Sequence, residues 1–303
     1  MQTMLISSWL KAVRLRTLPL AVSNTIVGSA LALMEHQFRC SIFIMATITA
    51  VLLQILSNLA NDYGDFKNGM DTQERVGPRR MVQSGEISPH AMLNGIKFIV
   101  CLSIVCGVFL IALVVNELNW YTSLFFLLLG VGAILAAILY TNGKNPFGYR
   151  GYGDLFVFVF FGCVGVVGTY FLHTSRLESI VFLPAISIGL LSVGVLNVNN
   201  MRDVENDRNL GKRTLVVKLG RRGAKVYHLF LVVGAILCML LFSVLTTSSI
   251  YQLLYLVSFP LLFVHLRNVL LHKHGISLID ELGRLSVATL LLAIAFFVGI
   301  LLA

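Results

Sequence analysis

Asparagine and aspartate recur at helical spacing in one segment of the second half of the chain. Asn199, Asp203 and Asp207 fall at i, i+4 and i+8, a spacing that on a helix stacks all three on one face, roughly 6 Å apart. The segment follows an apolar run at residues 180–198. Carboxylates beside hydrocarbon repel one another and are costly to desolvate, so they need a cation. Hard oxygen ligands with room left for water and phosphate favour Mg²⁺ over zinc.

A second set of the same residue types occurs in the first half of the chain. Asn61, Asp65 and Asp71 follow an earlier apolar run. Basic residues come after both sets; Lys212 and Arg213 are placed to hold a phosphate that the metal bridges. Either set alone could be a charged, solvated helix end, but the recurrence favours a site. The two asparagines lie 138 positions apart (199 minus 61), in equivalent places of two halves. We therefore expect metal binding by four carboxylates: Asp65, Asp71, Asp203 and Asp207.

The composition is that of a membrane protein. The chain has 303 residues, of which 57% are hydrophobic and 12% charged, against roughly a quarter charged in an ordinary soluble domain. Its mean hydropathy of +0.86 belongs to the membrane class. The net charge of +9 is confined to a few short connections, which indicates membrane topology rather than nucleic-acid binding. The five cysteines lack metal-ligand spacing and are interpreted as small hydrophobic residues without disulfides.

Nine apolar segments are each long enough to cross a bilayer, at about 20 residues apiece. We predict an all-α membrane bundle with spans at 17–35, 41–62, 93–115, 120–141, 154–173, 180–202, 223–245, 250–271 and 284–302. The first resembles a signal sequence, but polar residues interrupt it and we expect it to remain as an uncleaved span. Since the motif after the second span corresponds to that after the sixth, we expect two four-helix halves around a central cavity, plus a ninth helix. The whole chain, 1–303, is predicted to be one domain.

Basic residues are distributed very unevenly between the two sets of connections. The connections after spans 1, 3, 5 and 7 contain only Arg39 and Arg176, and the other 21 of the 23 Lys and Arg lie on the N-terminal side. This bias predicts that the N-terminus and the long loops face the cytoplasm, and that the C-terminus lies outside. Both aspartate motifs then open on the cytoplasmic face, together with the polar loop at residues 140–154.

Acidic clusters at one end of a hydrocarbon-walled cavity predict a ligand with a charged head and a lipid tail. Mg²⁺ held by the carboxylates would neutralise a diphosphate, and Lys and Arg would complete its binding. An allylic prenyl diphosphate meets both demands, since its C–O bond ionises to a carbocation that aromatic and Met side chains stabilise until an electron-rich ring attacks it. A transporter is the alternative from a different class; the clustering of acidic residues at one face disfavours it.

Four stretches carry a resemblance to a known family. They read RLRTLPL near the start, NLANDYGDFKNGMDT followed by GPRRMVQSG, YTNGKNPFGYRGYGD, and NNMRDVENDRNLGKRTLVVKLG. Together they resemble the intramembrane aromatic prenyltransferases of the UbiA superfamily, over nearly the whole chain. Within that superfamily the sequence is most similar to the branch that prenylates 1,4-dihydroxy-2-naphthoate in menaquinone biosynthesis.

The resemblance implies a Mg²⁺-dependent transfer of a polyprenyl chain from an all-trans-polyprenyl diphosphate to 1,4-dihydroxy-2-naphthoate in a bacterial inner membrane. CO₂ and diphosphate are lost and demethylmenaquinol is formed. Beyond the four aspartates, it implies roles in catalysis or substrate binding for residues at matching motif positions: Asn61, Arg80, Lys144, Asn199 and Lys212. A carboxylated acceptor also needs a cationic partner, for which Arg150 and Arg202 are available, and Tyr140 is a candidate to line the acceptor site. Another acceptor, such as 4-hydroxybenzoate, and the oligomeric state remain open.

The first motif departs from the spacing of the general superfamily. Five residues separate Asp65 from Asp71, and we expect Gly69 to mark a break that returns Asp71 to the cavity. This longer form resembles the naphthoate branch, and it leaves Asp62 open as a further ligand. Asp154, at the start of the fifth span, is interpreted equally well as a partner of the helix dipole or as a catalytic group.

Overall fold

The computed structural model describes residues 2–70, 76–271 and 275–303, and the regular elements within these residues are helices. Nine of the helical segments described there are long and apolar enough to cross a membrane, which confirms the predicted all-α architecture. We number these spans 1 to 9 in chain order: Ile6–Met34, Cys40–Lys67, Pro89–Ala112, Trp120–Leu139, Gly153–Thr174, Ser179–Arg202, Leu215–Thr246, Ile250–Leu271 and Ile279–Leu301.

Several spans extend beyond the apolar runs that predicted them. Span 7 begins at Leu215 rather than at 223, and span 9 at Ile279 rather than at 284. Span 1 begins within the helix Gln2–Val13 and continues through a turn at Arg14 with φ 54 and the helix Leu18–Met34. Helical hydrogen bonding satisfies the backbone whether or not lipid surrounds it, so charged residues continue a helix where hydropathy alone ends it.

Capping residues fix the beginnings of three spans. The side chain of Ser88 accepts a hydrogen bond from the backbone of Ala91, just before Pro89 opens span 3. Asn119 caps span 4 and Thr214 caps span 7 in the same way. Each cap satisfies a backbone N–H that has no partner inside the helix, and proline is favoured at the first helical position because it lacks that N–H.

The hydrophobic core is concentrated in the second half of the bundle. The largest cluster joins span 1 to spans 5 through 9, with fully buried side chains such as Leu191, Leu285 and Leu292. Few residues of spans 3 and 4 are buried within the chain, which leaves apolar faces of these spans for lipid. Spans 1 to 5 enclose a cavity between them.

Span 5 is wound as a π-helix from Phe158 to Gly168, a form that is rare and often found at functional sites. A side chain at Gly162 would approach the carbonyl of Ala185 to 2.7 Å, and one at Gly165 would approach Asn24 to 2.6 Å. Only glycine permits this contact with spans 6 and 1. Span 5 is thereby held at the wall of the cavity.

Arg39 joins the connections at one end of the bundle. Its guanidinium pairs with Glu117, after span 3, and donates to the carbonyl oxygens of Leu172 and His173, at the end of span 5. The turns after spans 1, 3 and 5 therefore meet at one end. Both aspartate motifs lie at the ends of even-numbered spans, and hence at the opposite end.

Candidate active site

The first motif ends span 2. Asn61 and Asp65 lie in its last turns, and the helix stops after Lys67. Gly69 adopts φ 67, and the amide of Met70 donates to the carbonyl of Asp65 at 2.8 Å, the geometry of a glycine C-cap. The break predicted at Gly69 is therefore present. Asp71 lies outside the described residues, so its role as a ligand stays a prediction.

The carboxylate of Asp65 is the meeting point of three other segments. Arg80 forms an ion pair with it, Tyr149 donates its hydroxyl hydrogen bond to it, and the Lys212 ammonium lies 3.3 Å away. The side chain of Asp65 is only 3% exposed. A buried carboxylate bound by three donors is held in one orientation.

Asp62 acts on the backbone. Its two carboxylate oxygens accept hydrogen bonds from the amides of Met81 at 3.0 Å and Val82 at 3.1 Å. These bonds fasten the segment that carries Arg80, which also donates to the carbonyl of Asn61. Asp62, left open as a ligand from the sequence, thus positions Arg80 against Asp65.

The second motif does not lie on one continuous helix. Span 6 ends at Arg202, Asp203 has φ −98 and ψ 10, and a short helix follows at Val204–Asn209. The amides of Asp203 and Asp207 still donate four residues back, to Asn199 at 3.2 Å and to Asp203 at 2.9 Å. The expected continuous stack is therefore corrected to a kinked one that keeps its hydrogen-bond register.

Arg202 is part of the second motif itself. Its guanidinium makes a bidentate contact with Asp203, at 3.0 and 2.7 Å, and reaches the side-chain oxygen of Asn199 at 2.9 Å. The segment after the first motif packs on it, since a side chain at Gly77 would approach the guanidinium to 2.7 Å. Arg202 is thus engaged by the motif rather than presented alone to an acceptor carboxylate, and its role in substrate binding stays a prediction.

Lys212 brings the two motifs together. Its ammonium lies 3.3 Å from Asp65 and 3.6 Å from Asp207, and 4.6 Å from the centre of the Tyr149 ring. Burial raises the pKa of Asp207 to about 6; Lys212 opposes the shift, and Asp203 and Asp65 add to it. The carboxylates of both motifs are therefore close enough to affect one another's ionisation.

The loop between spans 4 and 5 covers this cluster. Its short helix Phe147–Arg150 is fastened to span 7, because the amide of Arg213 donates to the Tyr149 carbonyl at 2.7 Å and Lys218 donates to the Arg150 carbonyl at 2.8 Å. The sequence marked this loop as polar and glycine-rich, but its spacing did not single out Tyr149 as the partner of Asp65. Lys144 is exposed and makes no ion pair among the described residues, so its catalytic role stays a prediction.

An apolar cavity of about 360 Å³ lies between spans 1 to 5. Ser57 lines it, one turn before Asn61 and two turns before Asp65, so one end of the cavity lies beneath the first motif. Tyr140 closes this end, with its ring against Phe147 at 5.4 Å between centroids. Other lining side chains come from all five spans and include Asn24, Leu53, Ile111, Leu128 and Phe160.

The donor set suits a hard divalent cation. Asp65, Asp203 and Asp207 supply carboxylate oxygens, and burial raises the pKa of Asp207, a shift that a bound cation would oppose. Within the described part of the chain, no three His, Cys, Asp or Glu side chains are already arranged as a ligand shell. Oxygen ligands, water and phosphate together satisfy Mg²⁺, which seldom uses an all-protein shell.

Comparison with known proteins agrees with this geometry. Residues 21–276 match the UbiA prenyltransferase family. Proteins called 1,4-dihydroxy-2-naphthoate octaprenyltransferase from Haemophilus influenzae and Escherichia coli are 43% and 41% identical to the chain, each alignment covering 97% of the chain and 95% of the relative.

Solved structures share the fold. A UbiA homolog from Aeropyrum pernix K1, solved in its apo form, superposes with a TM-score of 0.71 at 17% identity, over 95% of this chain and 98% of that one. A UbiA homolog from Archaeoglobus fulgidus bound to GPP and Mg²⁺ gives a TM-score of 0.59 at 14% identity, over 96% and 99%. The chain is a multi-pass membrane protein that belongs to the UbiA prenyltransferase family.

Proposed function

We propose that the protein transfers a polyprenyl chain from its diphosphate to 1,4-dihydroxy-2-naphthoate, with loss of CO₂ and diphosphate. The observation that carries this proposal is the convergence of both aspartate motifs on Lys212 at one end of an apolar cavity. A charged site joined to a hydrocarbon-lined cavity fits a diphosphate with a lipid tail. The names of the bacterial relatives supply the acceptor.

The diphosphate is bound at the charged end. Asp65, Asp203 and Asp207 would hold Mg²⁺, which supplies positive charge to the leaving diphosphate oxygens. Arg80 and Lys212, now paired with Asp65, are placed to donate charge-assisted hydrogen bonds to the same oxygens. These donors gain strength as negative charge develops on the leaving group, which lowers the barrier.

The prenyl chain occupies the cavity and its reacting carbon lies near Tyr140. Aromatic rings surround this end, where Phe147 stacks on Phe156 at 4.1 Å between centroids. Their π-faces stabilise an allylic cation, and the apolar walls exclude the water that would capture it. The electron-rich ring of the acceptor then forms the new C–C bond.

The orientation follows from the basic residues. The motifs lie at the end of the bundle opposite Arg39, and nearly all other Lys and Arg lie on the motif side. We infer that the site faces the cytoplasm across a bacterial inner membrane. Cysteines introduced at Asn119 and at Gly211 test this: an impermeant thiol reagent added outside should label the first and not the second.

A competition assay tests the reaction. Purified protein in liposomes receives equimolar 1,4-dihydroxy-2-naphthoate and 4-hydroxybenzoate with a series of all-trans-polyprenyl diphosphates, and products are identified by mass spectrometry. We expect prenylated, decarboxylated naphthalenediol in the presence of Mg²⁺ and none with EDTA. If prenylated hydroxybenzoate is the main product, the acceptor is 4-hydroxybenzoate and the naphthoate assignment is wrong. Full activity in EDTA would show that the reaction does not need a metal ion.

A further inference from the structure

Asp154 is a buried carboxylate outside both aspartate motifs. It lies in the first turn of span 5 and is 9% exposed. One of its oxygens accepts a hydrogen bond from the Tyr227 hydroxyl, on span 7, at 3.3 Å. Unlike Asp65 and Asp203, it forms no ion pair with any described Lys or Arg. The helix dipole stabilises a carboxylate at a helix N-terminus. That effect does not explain why the Tyr227 hydroxyl donates a hydrogen bond to Asp154.

Tyr140 connects Asp154 with the two motifs. Its hydroxyl lies against Gly153, where a side chain would approach it to 2.6 Å. The pKa of Tyr140 is raised by burial first, and then by the negative charges of Asp154, Asp65 and Asp207 in that order. Tyr140 therefore lies within electrostatic reach of both the motif carboxylates and Asp154.

The same tyrosine lines the cavity. Three things thus meet around its ring: the carboxylates that would hold the diphosphate, the apolar path of the prenyl chain, and Asp154. An aromatic acceptor must reach the allylic carbon in this region. A ring placed there lies beside Tyr140, whose hydroxyl lies against Gly153, the residue before Asp154.

The remaining titratable groups on neighbouring elements are already engaged or exposed. Span 6 carries only Arg202, which is held by Asp203 and Asn199. The loop before span 5 carries Tyr149, which is bound to Asp65, and the exposed Lys144, Arg150 and Tyr152. On span 7, Lys218 donates to the Arg150 carbonyl. Asp154 is thus the carboxylate beside Tyr140 that is not paired with a described Lys or Arg.

We propose that Asp154 is the base that accepts the proton of the acceptor's ring hydroxyl, and that Tyr227 is the positioning residue that orients its carboxylate. The choice of 1,4-dihydroxy-2-naphthoate as acceptor rests on the proposed function. The role of the base holds for any hydroxylated aromatic ring, because removal of the hydroxyl proton makes the ring a stronger nucleophile.

The step balances without an added reagent. Asp154 takes the proton of the hydroxyl next to the carboxyl-bearing carbon. That carbon's electron pair forms the C–C bond to the prenyl carbon, while the C–O bond breaks and its electrons leave with diphosphate. The resulting ketone is β to the carboxylate, so the C–C bond to the carboxyl group breaks and CO₂ departs. The released electron pair restores the aromatic ring, and Asp154 returns the proton to the ring oxygen.

The test compares Asp154→Asn with Asp280→Asn in the full-length protein in liposomes. Asp280 is an exposed carboxylate in the first turn of span 9, which makes it a matched control with the same substitution at the same kind of position. Asn is isosteric with Asp and still accepts from Tyr227, so the fold is preserved. Thermal unfolding and the affinity for an unreactive thiolodiphosphate analogue of the donor check this independently of turnover.

We expect Asp154→Asn to lower kcat by about 10²–10⁴-fold, the usual contribution of a general base. The deficit should shrink as pH rises, and with acceptors whose hydroxyl ionises at lower pH, because an ionised hydroxyl needs no base. Tyr227→Phe should show the same dependence with a smaller loss, and Asp280→Asn none. An equal deficit at every pH and with every acceptor, or no deficit, overturns the proposal.

The wild-type protein in the same assay separates this inference from the proposed function. If it prenylates a different hydroxylated acceptor, the naphthoate assignment fails and the ratio of variant to wild type is measured with that acceptor. If the ratio is then independent of pH, the role of Asp154 fails on its own.

Discussion

The first motif ends span 2 and the second ends the short helix after span 6, and both close on a glycine in the left-handed region, Gly69 with φ 67 and Gly211 with φ 74. In each case the next amide donates to the carbonyl of the aspartate four residues before the glycine, Asp65 or Asp207, at 2.8 Å. These aspartates are 142 positions apart (207 minus 65), against 138 for the asparagines. The difference of four residues is about one helical turn. Each aspartate therefore lies on the same side of the chain as the asparagine of its own motif.

The two motifs differ in where their counter-charges come from. Lys212 and Tyr149, which bind Asp65, are 147 and 84 residues away in the chain. Asp203 is bound by its own neighbour, Arg202. Two of the three partners of Asp65 therefore arrive only when the loops of the whole bundle assemble, whereas the guanidinium that binds Asp203 is supplied locally. Substitutions in the first motif should disturb more of the site.

The largest expected effect comes from Asp65→Asn compared with Asp203→Asn. Loss of the Asp65 charge removes the common partner of Arg80, Lys212 and Tyr149 and, under the proposed function, a metal ligand. We expect at least the roughly 10²–10³-fold loss in kcat seen when one preorganised charge-stabilising group is removed, and a larger loss for Asp65→Asn than for Asp203→Asn. Turnover per folded molecule in liposomes measures both. A larger loss at Asp203 would reverse the ranking of the motifs.

Much of this arrangement was accessible from the sequence. The nine spans, the family and the all-α fold were predicted and are confirmed. Spacing indicated both motifs because i, i+4 periodicity is a local property. It did not indicate that Asp203 interrupts the helix, nor that Arg202 beside it packs against Gly77 of a distant segment.

Long-range partners were the harder part. Asp62 and Tyr149 lie within conspicuous stretches, yet their roles depend on which backbone or carboxylate they meet, in segments about 20 and 84 residues away. A tertiary hydrogen bond leaves no period in the sequence. From the sequence, Asp62 indicates only that a polar residue beside a motif needs a hydrogen-bond partner if it is buried.

Lys212 sharpens the comparison because it touches both motifs. Lys212→Ala should lower kcat by about 10²-fold, as expected for one lost donor to a developing oxyanion. Lys144→Ala is the matched variant: the family resemblance implies a role in the site for both lysines and hence a similar loss, whereas the exposed position of Lys144 favours a smaller one. Single-turnover rates with saturating donor distinguish chemistry from binding. If the two variants lose kcat equally, Lys144 reaches the diphosphate in the working enzyme.

Asp207 links the second motif to pH. Its pKa is raised to about 6, chiefly by burial, so the fold favours the neutral acid and loses stability as pH rises from about 4, the unfolded value, through 6. Asp207→Asn should therefore stabilise the metal-free protein at pH 7, by about 1–3 kcal/mol, while lowering activity. Thermal unfolding with EDTA at pH 5 and 7 tests this, because the gain should shrink at pH 5. In the wild type, the Mg²⁺ concentration for half activity should rise as pH falls through 6. If the gain in unfolding free energy were the same at pH 5 and pH 7, the ionisation of Asp207 would not be its cause.

The smallest effects come from the two glycines that end the motifs. Neither Gly69 nor Gly211 has an atom within 4 Å of where a side chain would begin, so alanine at either costs only backbone strain, about 1–2 kcal/mol. The two variants should thus unfold at similarly lowered temperatures. Gly283→Ala, in the helical interior of span 9 and equally open, has ordinary helical geometry and should not be destabilised.

Activity should separate the two glycines even though stability does not. The residue after Gly211 is Lys212. Its backbone amide donates a hydrogen bond to the Asp207 carbonyl, which depends on the glycine conformation, and its ammonium lies close to carboxylates of both motifs. The residue after Gly69 is Met70, which carries no charge. Gly211→Ala should therefore lower kcat more than Gly69→Ala when turnover is expressed per folded molecule. A greater loss of kcat for Gly69→Ala would contradict this ranking. It would show that the residues after Met70 contribute more to the site than the ammonium of Lys212.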